Sequence, residues 1–275
     1  MKTGQKSILI LLILCFLAAF SGCFIRERLN TRKLNEILRN GNEALLAKQY
    51  EEAIKWYDAG LRISPREPTF LSNKSTVFRM RGVERYNSAI RLKDAKARDE
   101  GKEFANQDFR DAAALSTEAV NRMKSLKFLE FLDRALDHQS AKLNIYASRA
   151  DALRLFATLA DKTKSGEALE AMHEYIEIEL DLEKKTKAQL NAGKMLIDTG
   201  RGDDAISEYK KVLAIEPNNI EAVLGVGLAL SQSGDMEKYH EAESYLQRFV
   251  KQAPDNHPLK TDIKNTLEFM KQEIK

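Results

Sequence analysis

Three features of the chain predict an all-α fold. Beyond residue 34, proline occurs only at 65, 68, 217, 254 and 258, and none lies between Glu84 and Lys211. That proline-free stretch is rich in Ala, Leu, Glu, Lys and Arg, the residues that lose least on entering a helix. Apolar residues recur at steps of three and four, as in Leu153, Phe156, Leu159 and Ala160, which puts them on one helix face. Alternating, strand-like runs are nearly absent.

The 275 residues suffice for one large domain or two small ones, and 43% hydrophobic against 31% charged residues allows a real core. The formal net charge is +3; removing residues 1–22 takes away Lys2, Lys6 and no acid, which brings it to +1. A near-neutral chain has no bulk electrostatic reason to bind nucleic acid. The two cysteines, Cys15 and Cys23, both lie near the start. No disulfide or cysteine metal site is therefore available to the body, which apolar packing must hold together.

The first 33 residues read as an address and a tether. Lys2 and Lys6 precede an apolar run from Ile8 to Phe20, and Ser21, Gly22 and Cys23 follow. A basic start, a short apolar segment and small residues describe a secretory signal peptide over 1–22. The 13-residue run is short against the ~20 residues a spanning helix needs. Phe20-Ser21-Gly22-Cys23 resembles the bacterial lipobox, with Phe20 where Leu, Val or Ile is usual. The resemblance implies that Cys23 carries lipid (palmitate-type acyl chains) and becomes the first mature residue. Residues 23–33 would then be a lipid-anchored tether, with several acyl chains holding better than one. Phe24 stands where aspartate resembles an inner-membrane retention signal, so the expected address is the outer membrane, facing the periplasm.

Residues 34–275 repeat themselves. Gly41, Tyr50, Ala53, Tyr57, Leu61 and Pro65 correspond to Gly193, Gly202, Ala205, Tyr209, Leu213 and Pro217 at a constant offset of 152. A third copy runs through Gly227, Gly234, Ala242, Leu246 and Pro254, with about three extra residues before Ala242. This spacing resembles the tetratricopeptide repeat (TPR), in which small residues let two antiparallel helices approach and proline ends the second. The resemblance implies stacked helix pairs forming an α-solenoid. It is clear over 34–67 and 186–256 and degenerate between. There, Asn73, Val77 and Gly82 suggest an extended helix A. An insertion around Ala95–Glu103 precedes a helix B through Ala112, Ser116 and Ala119. Tyr146–Ala160 and Glu167–Leu182 suggest a further pair, Lys124–Asp137 an extra helix or cap, and Asp262–Ile274 a final capping helix.

No motif points to catalysis, and neither a cofactor nor a metal is expected. His173-Glu174-Tyr175-Ile176-Glu177 passes for a metalloprotease helix until its second ligand position, which is Glu177 rather than histidine. Glu177, Glu179, Asp181 and Glu183 step by two, so a helix would spread them around its cylinder. Gly225 and Gly227 lie inside a repeat helix and read as packing. Trp56 reads as edge packing against the tether, with a contact hot spot as the second reading.

The TPR resemblance implies that helix A supplies a concave, partner-binding groove. The corresponding positions are Asn35, Leu38, Asn42, Leu45 and Leu46; Lys187, Leu190, Lys194, Ile197 and Asp198; and Glu221, Leu224, Leu228, Ser231 and Gln232. Asn42, Asn73 and Arg149 also match part of the clamp by which some TPR domains hold a C-terminal carboxylate, but Leu38 and Ile145 replace its lysines. The expected function is a membrane-anchored scaffold in the bacterial envelope that binds another envelope protein, as a peptide or helix, without catalysis. The alternative is a transporter-accessory lipoprotein holding a small ligand in a closed cavity between helices of the 75–182 region.

Overall fold

The computed structural model describes residues 31–125, 138–233 and 236–273. Residues 1–30, including the signal segment and Cys23, lie outside this set, as does most of the Lys124–Asp137 stretch read as an extra helix or cap. The described residues hold eleven α-helices and no strand: α1 (31–46), α2 (Tyr50–Ile63), α3 (Pro68–Ala89), α4 (Ala95–Ser125), α5 (His138–Leu159), α6 (Ser165–Ile178), α7 (Leu182–Asp198), α8 (Gly202–Ile215), α9 (Ile220–Ser231), α10 (Met236–Gln252) and α11 (Lys260–Glu273). No described helix is long and apolar enough to cross a membrane.

Successive helices pair as antiparallel hairpins, and local chemistry sets their ends. Pro68 opens α3, where its missing N–H is no loss, and the Glu67 carboxylate accepts from Thr69 N at 3.2 Å. Asp181 caps α7 through Lys184 N at 3.1 Å, and Asn219 caps α9 through Ala222 N at 3.0 Å. The α1–α2 turn passes through Lys48 at φ 58°, and the α7–α8 turn through Gly200 at φ 82°. These positions are 152 residues apart, so the two turns are copies; one uses glycine in the left-handed region and the other bears a side chain there.

Packing within the regular pairs follows the expected small-residue positions. Ala53, Ala205 and Ala242 are all 0% exposed. A Cβ placed on Gly41 would come within 2.5 Å of the Tyr57 ring, and one on Gly193 within 2.7 Å of the Tyr209 ring. The same Tyr209 ring also fills the space beside Gly225 of α9, and Leu246 fills that beside Gly227. Each aromatic therefore locks its own pair and reaches the next, which makes neighbouring pairs mutually dependent. Trp56 is half-buried among the residues of the α1–α3 core.

In the middle, helix A is extended as expected, to 22 residues in α3, and the inserted stretch Ala95–Glu103 takes the form of the first turns of a 31-residue α4. At ~1.5 Å per residue α4 is ~46 Å long, against ~21 Å for a 14-residue helix such as α2 or α8. Two devices hold this long hairpin together. Glycines allow close approach, with Gly82 against Phe109 and Gly101 against Ala89. The second is Asp108, 1% exposed, whose carboxylate accepts from Arg81 Nη2 at 2.7 Å and Arg85 Nη1 at 3.0 Å. Arg81 also reaches Glu51 of α2, which ties the hairpin to the first pair.

Pairs α5–α6, α7–α8 and α9–α10 continue the stack over one contiguous core, and α11 closes it with Ile263, Leu267 and Met270. Lys260 at the start of α11 donates to Ala253 O at 2.6 Å and pairs with Asp255 at 2.9 Å. Lys264, on the outer side, is exposed.

Candidate groove on the helix A face

The first helix of each pair presents one stripe to its own second helix and the opposite stripe to solvent. On α1 the core stripe is Ile37, Gly41 and Ala44, so Asn35 and Asn42 project outward, with Leu38 and Leu45 half-buried at its edges. On α7 the core stripe is Ala188, Ala192, Gly193 and Leu196, and Lys187, Lys194 and Asp198 are exposed while Leu190 is half-buried. On α9, Gln232 is exposed at the C-terminal end.

Two expected groove residues lie elsewhere. Leu224 is only 4% exposed and belongs to the core, because α9 is apolar nearly all round. Arg149 is spaced by three and four from Ile145, Ala152 and Leu153, which are all buried, so it faces α6 rather than the groove. There its Nη1 lies 2.6 Å from Glu174, which Lys124 also contacts at 3.2 Å. Ile145 is a core residue. Arg149, paired with Glu174, and Ile145, buried, therefore do not lie beside Asn42 and Asn73 on the exposed helix A face.

The structure does join two of the expected residues. Asn42 Oδ1 accepts from the Tyr57 hydroxyl at 2.8 Å and from Asn73 Nδ2 at 3.1 Å. Burial pushes the Tyr57 hydroxyl up to about 12, so at neutral pH it remains a donor. This chain fixes the amide of Asn42 and bridges α1 and α3. The sequence reading missed the polar contacts that join α3 to α5. Half-buried Thr76 of α3 and buried Ser148 of α5 approach at 3.5 Å, with Ser148 also 3.3 Å from Ser72 O. Asp151 and Arg154 of α5 pair at 3.3 Å. Counting helical turns outward from Ser75, whose hydroxyl donates to Ala112 O at 2.8 Å, would have found Thr76; Ser75 takes the small-residue position of the second repeat.

The acids of the described residues form local hydrogen-bond and ion-pair contacts. His173 points to Glu208 of α8 at 3.1 Å, where Gln189 and Lys211 also donate, so the residues of the apparent metalloprotease pattern serve packing between pairs. Glu179 is buried and accepts from Tyr175 Oη at 2.7 Å and from the N–H groups of Leu180 and Asp181 at 2.9 and 3.0 Å. Burial alone would raise its pKa, but these hydrogen bonds outweigh it and hold the carboxyl below the usual range. Glu179 and Asp181 thus build the turn into α7. Among the described residues no group of histidine, aspartate and glutamate is placed to hold a metal.

A cleft of about 430 Å³ lies in the middle region, lined by Lys74, Phe78, Asp111, Ala114, Leu115 and Glu118. It opens to solvent between α3 and α4. Lys74 at its edge pairs with Asp58 at 2.7 Å.

Residues 186–219 match the tetratricopeptide-repeat family model, over α7, α8 and the turn that follows. The chain matches none of the curated proteins with which it was compared. Among solved structures it is similar to YrrB, a TPR protein with an unusual peptide-binding site, at 15% identity, covering 83% of this chain and 90% of that one with a TM-score of 0.53. It is also similar to MamA at 17% identity, covering 80% and 91% with a TM-score of 0.51. The helix pairs, the buried alanines and these likenesses agree: the fold is a TPR-type α-solenoid with an extended second pair and a C-terminal capping helix.

Proposed function

We propose that the chain is a scaffold for protein–protein interaction in the bacterial envelope, held to a membrane by lipid on Cys23 and free of catalytic activity. The observation that carries this reading is the helix A face. Its polar groups are ordered, as in the Asn42–Asn73–Tyr57 chain, and are followed along the stack by exposed Lys187 and Lys194. Oriented amides can pair with a peptide backbone, while half-buried Leu38, Leu45 and Leu190 can take apolar side chains. The open cleft beside α4 favours this over a small-ligand carrier, which needs an enclosed cavity. The lipobox-like Ser21-Gly22-Cys23 supports a lipid anchor, and Phe24 supports the outer membrane, periplasmic side.

Photo-crosslinking in cells tests the binding face. A photoreactive residue at Asn73 or Lys194 should capture one discrete protein, and the same residue at Lys210 or Lys251 on second helices should not. Equal capture at all four positions would refute the groove. Cys23→Ser should shift the protein from the membrane to the soluble fraction; its retention there would refute the lipid anchor.

A further inference from the structure

Where α4 ends and α5 begins, cations outnumber acids around a buried phenol. Lys142, Tyr146 and Arg149 are spaced by four and three, so they share one face of α5, the side turned to α6 and away from the helix A groove. Lys124, in the last turn of α4, reaches the same place. Its Nζ lies 5.8 Å from the centre of the Tyr146 ring, and Lys142 Nζ lies 5.9 Å from it. α6 supplies one acid, Glu174, whose two oxygens are taken by Lys124 at 3.2 Å and Arg149 at 2.6 Å. Lys142 is half-buried and has no ion-pair partner among the described residues. Glu170 and Glu177 of α6 are exposed and contact none of these cations. Residues 119–125 of α4 and 138–150 of α5 contain no acid. Three cations against one carboxylate therefore leave the cluster at a net charge of +2.

Two donors in the cluster are unused. Tyr146 is only 7% exposed, yet its hydroxyl has no hydrogen-bond partner among the described residues. Burial raises its pKa, Lys124 and Arg149 pull the other way and Glu174 adds to the rise, so the hydroxyl lies in the field of all three and stays protonated at neutral pH. Arg149 Nε is buried and also without a partner. Excess positive charge beside unmet buried donors costs stability until an anion joins it. We infer that this cluster binds a phosphate monoester. At neutral pH such a group carries about −1.5 to −2 charge and three acceptor oxygens, which match the excess charge and the free donors. A single carboxylate would leave half of the excess uncompensated. The same phosphate chemistry is offered by a soluble monoester and by a phosphatidate headgroup. The cluster is separate from the helix A face and does not rest on the groove reading above.

Full-length protein in detergent micelles is melted at neutral pH and constant ionic strength, followed by circular dichroism, with either inorganic phosphate or acetate as the added anion. Phosphate should raise the melting temperature with concentration where acetate does not, because a ligand held only by the folded chain stabilises it. Lys142→Gln removes the cation that has no carboxylate partner, and Tyr146→Phe keeps the ring but removes the hydroxyl. Each should weaken phosphate binding roughly tenfold while leaving the melting temperature in acetate nearly unchanged. Two further arms identify the source: glycerol 3-phosphate in solution, and phosphatidate mixed into the same micelles at equal concentration. Tighter binding of phosphatidate assigns a lipid headgroup, and equal or tighter binding of glycerol 3-phosphate assigns a soluble ligand; either result supports the site. The inference is overturned if phosphate stabilises no more than acetate, or if both substitutions leave the phosphate effect unchanged.

Discussion

The α7–α8 pair and the α3–α4 pair solve the same packing problem by different means. In α7–α8, Ala205 vanishes between helices, and the Tyr209 ring fills the space beside Gly193 and Gly225. The fit is steric, uses few side chains and recurs in α1–α2 with Ala53, Tyr57 and Gly41. In α3–α4 the helices run well past the repeat length, and part of the contact is ionic, through Asp108 with Arg81 and Arg85. A steric lock tolerates almost no added volume. An ionic lock tolerates volume but not the loss of one charge, because a buried partner is then stranded.

That contrast orders the expected effects of mutation. Asp108→Ala should be the most damaging, at about 3 kcal/mol of stability by urea denaturation, since it removes the buried carboxylate shared by Arg81 and Arg85 and leaves Arg81 only the exposed Glu51. A loss below about 1 kcal/mol would mean that the pair is solvated and that the hairpin is held by apolar contact instead. Gly225→Ala should cost about 1–3 kcal/mol, because its new methyl meets a ring that is already wedged between two pairs. The matching change in the long hairpin, Gly101→Ala, sets its methyl 2.8 Å from the Ala89 Cβ, which only a backbone shift can relieve, and should cost about 1–3 kcal/mol as well.

Smaller effects should appear at the turns. Lys48→Gly places glycine where its copy, Gly200, already sits at positive φ, and should stabilise by about 0.5–1 kcal/mol. An unchanged or lower melting temperature would mean that the Lys48 contact with Glu84, 3.6 Å in the structure, offsets the backbone strain. Glu179 adds a pH dependence. Its folded pKa lies below the unfolded value of 4.5, so its stabilising share is present above that value and is lost as pH falls through the lowered folded pKa. Glu179→Gln should therefore be less stable than the parent at neutral pH, and the gap should close below pH 4.5. A gap that persists in acid would show that Glu179 acts through shape rather than charge.

The same contrast explains what was legible in the sequence. Steric locks leave a spacing signature, because small and aromatic residues must sit at fixed distances; the α1–α2, α7–α8 and α9–α10 pairs were readable for that reason. The final helix was readable from Pro258 and the apolar steps after it. An ionic lock leaves no such signature. Asp108 and Arg81 look like two of many charges, and only the fold brings them 27 positions apart into contact. The spacing marked 95–103 as inserted but left its conformation open: it is charged and irregular, yet it is helix, because an overhanging helix needs no continuous apolar face. The expected helix A positions are solvent-exposed where a glycine fixes the register, as at Asn42 beside Gly41 and Lys194 beside Gly193. Arg149 instead faces α6, where α5 offers no glycine to set the phase, and Leu224 is buried because α9 buries most of its circumference.

The central physical claim is that antiparallel pairs stack through close contacts at Ala53, Ala205 and Ala242, and it can be tested one alanine at a time. Each single change to tryptophan, followed by thermal melting, should lower stability by about 1–3 kcal/mol or more, because none of the three sites has room for a ring. Melting curves that coincide with the parent's at all three positions would contradict the stacked-pair account.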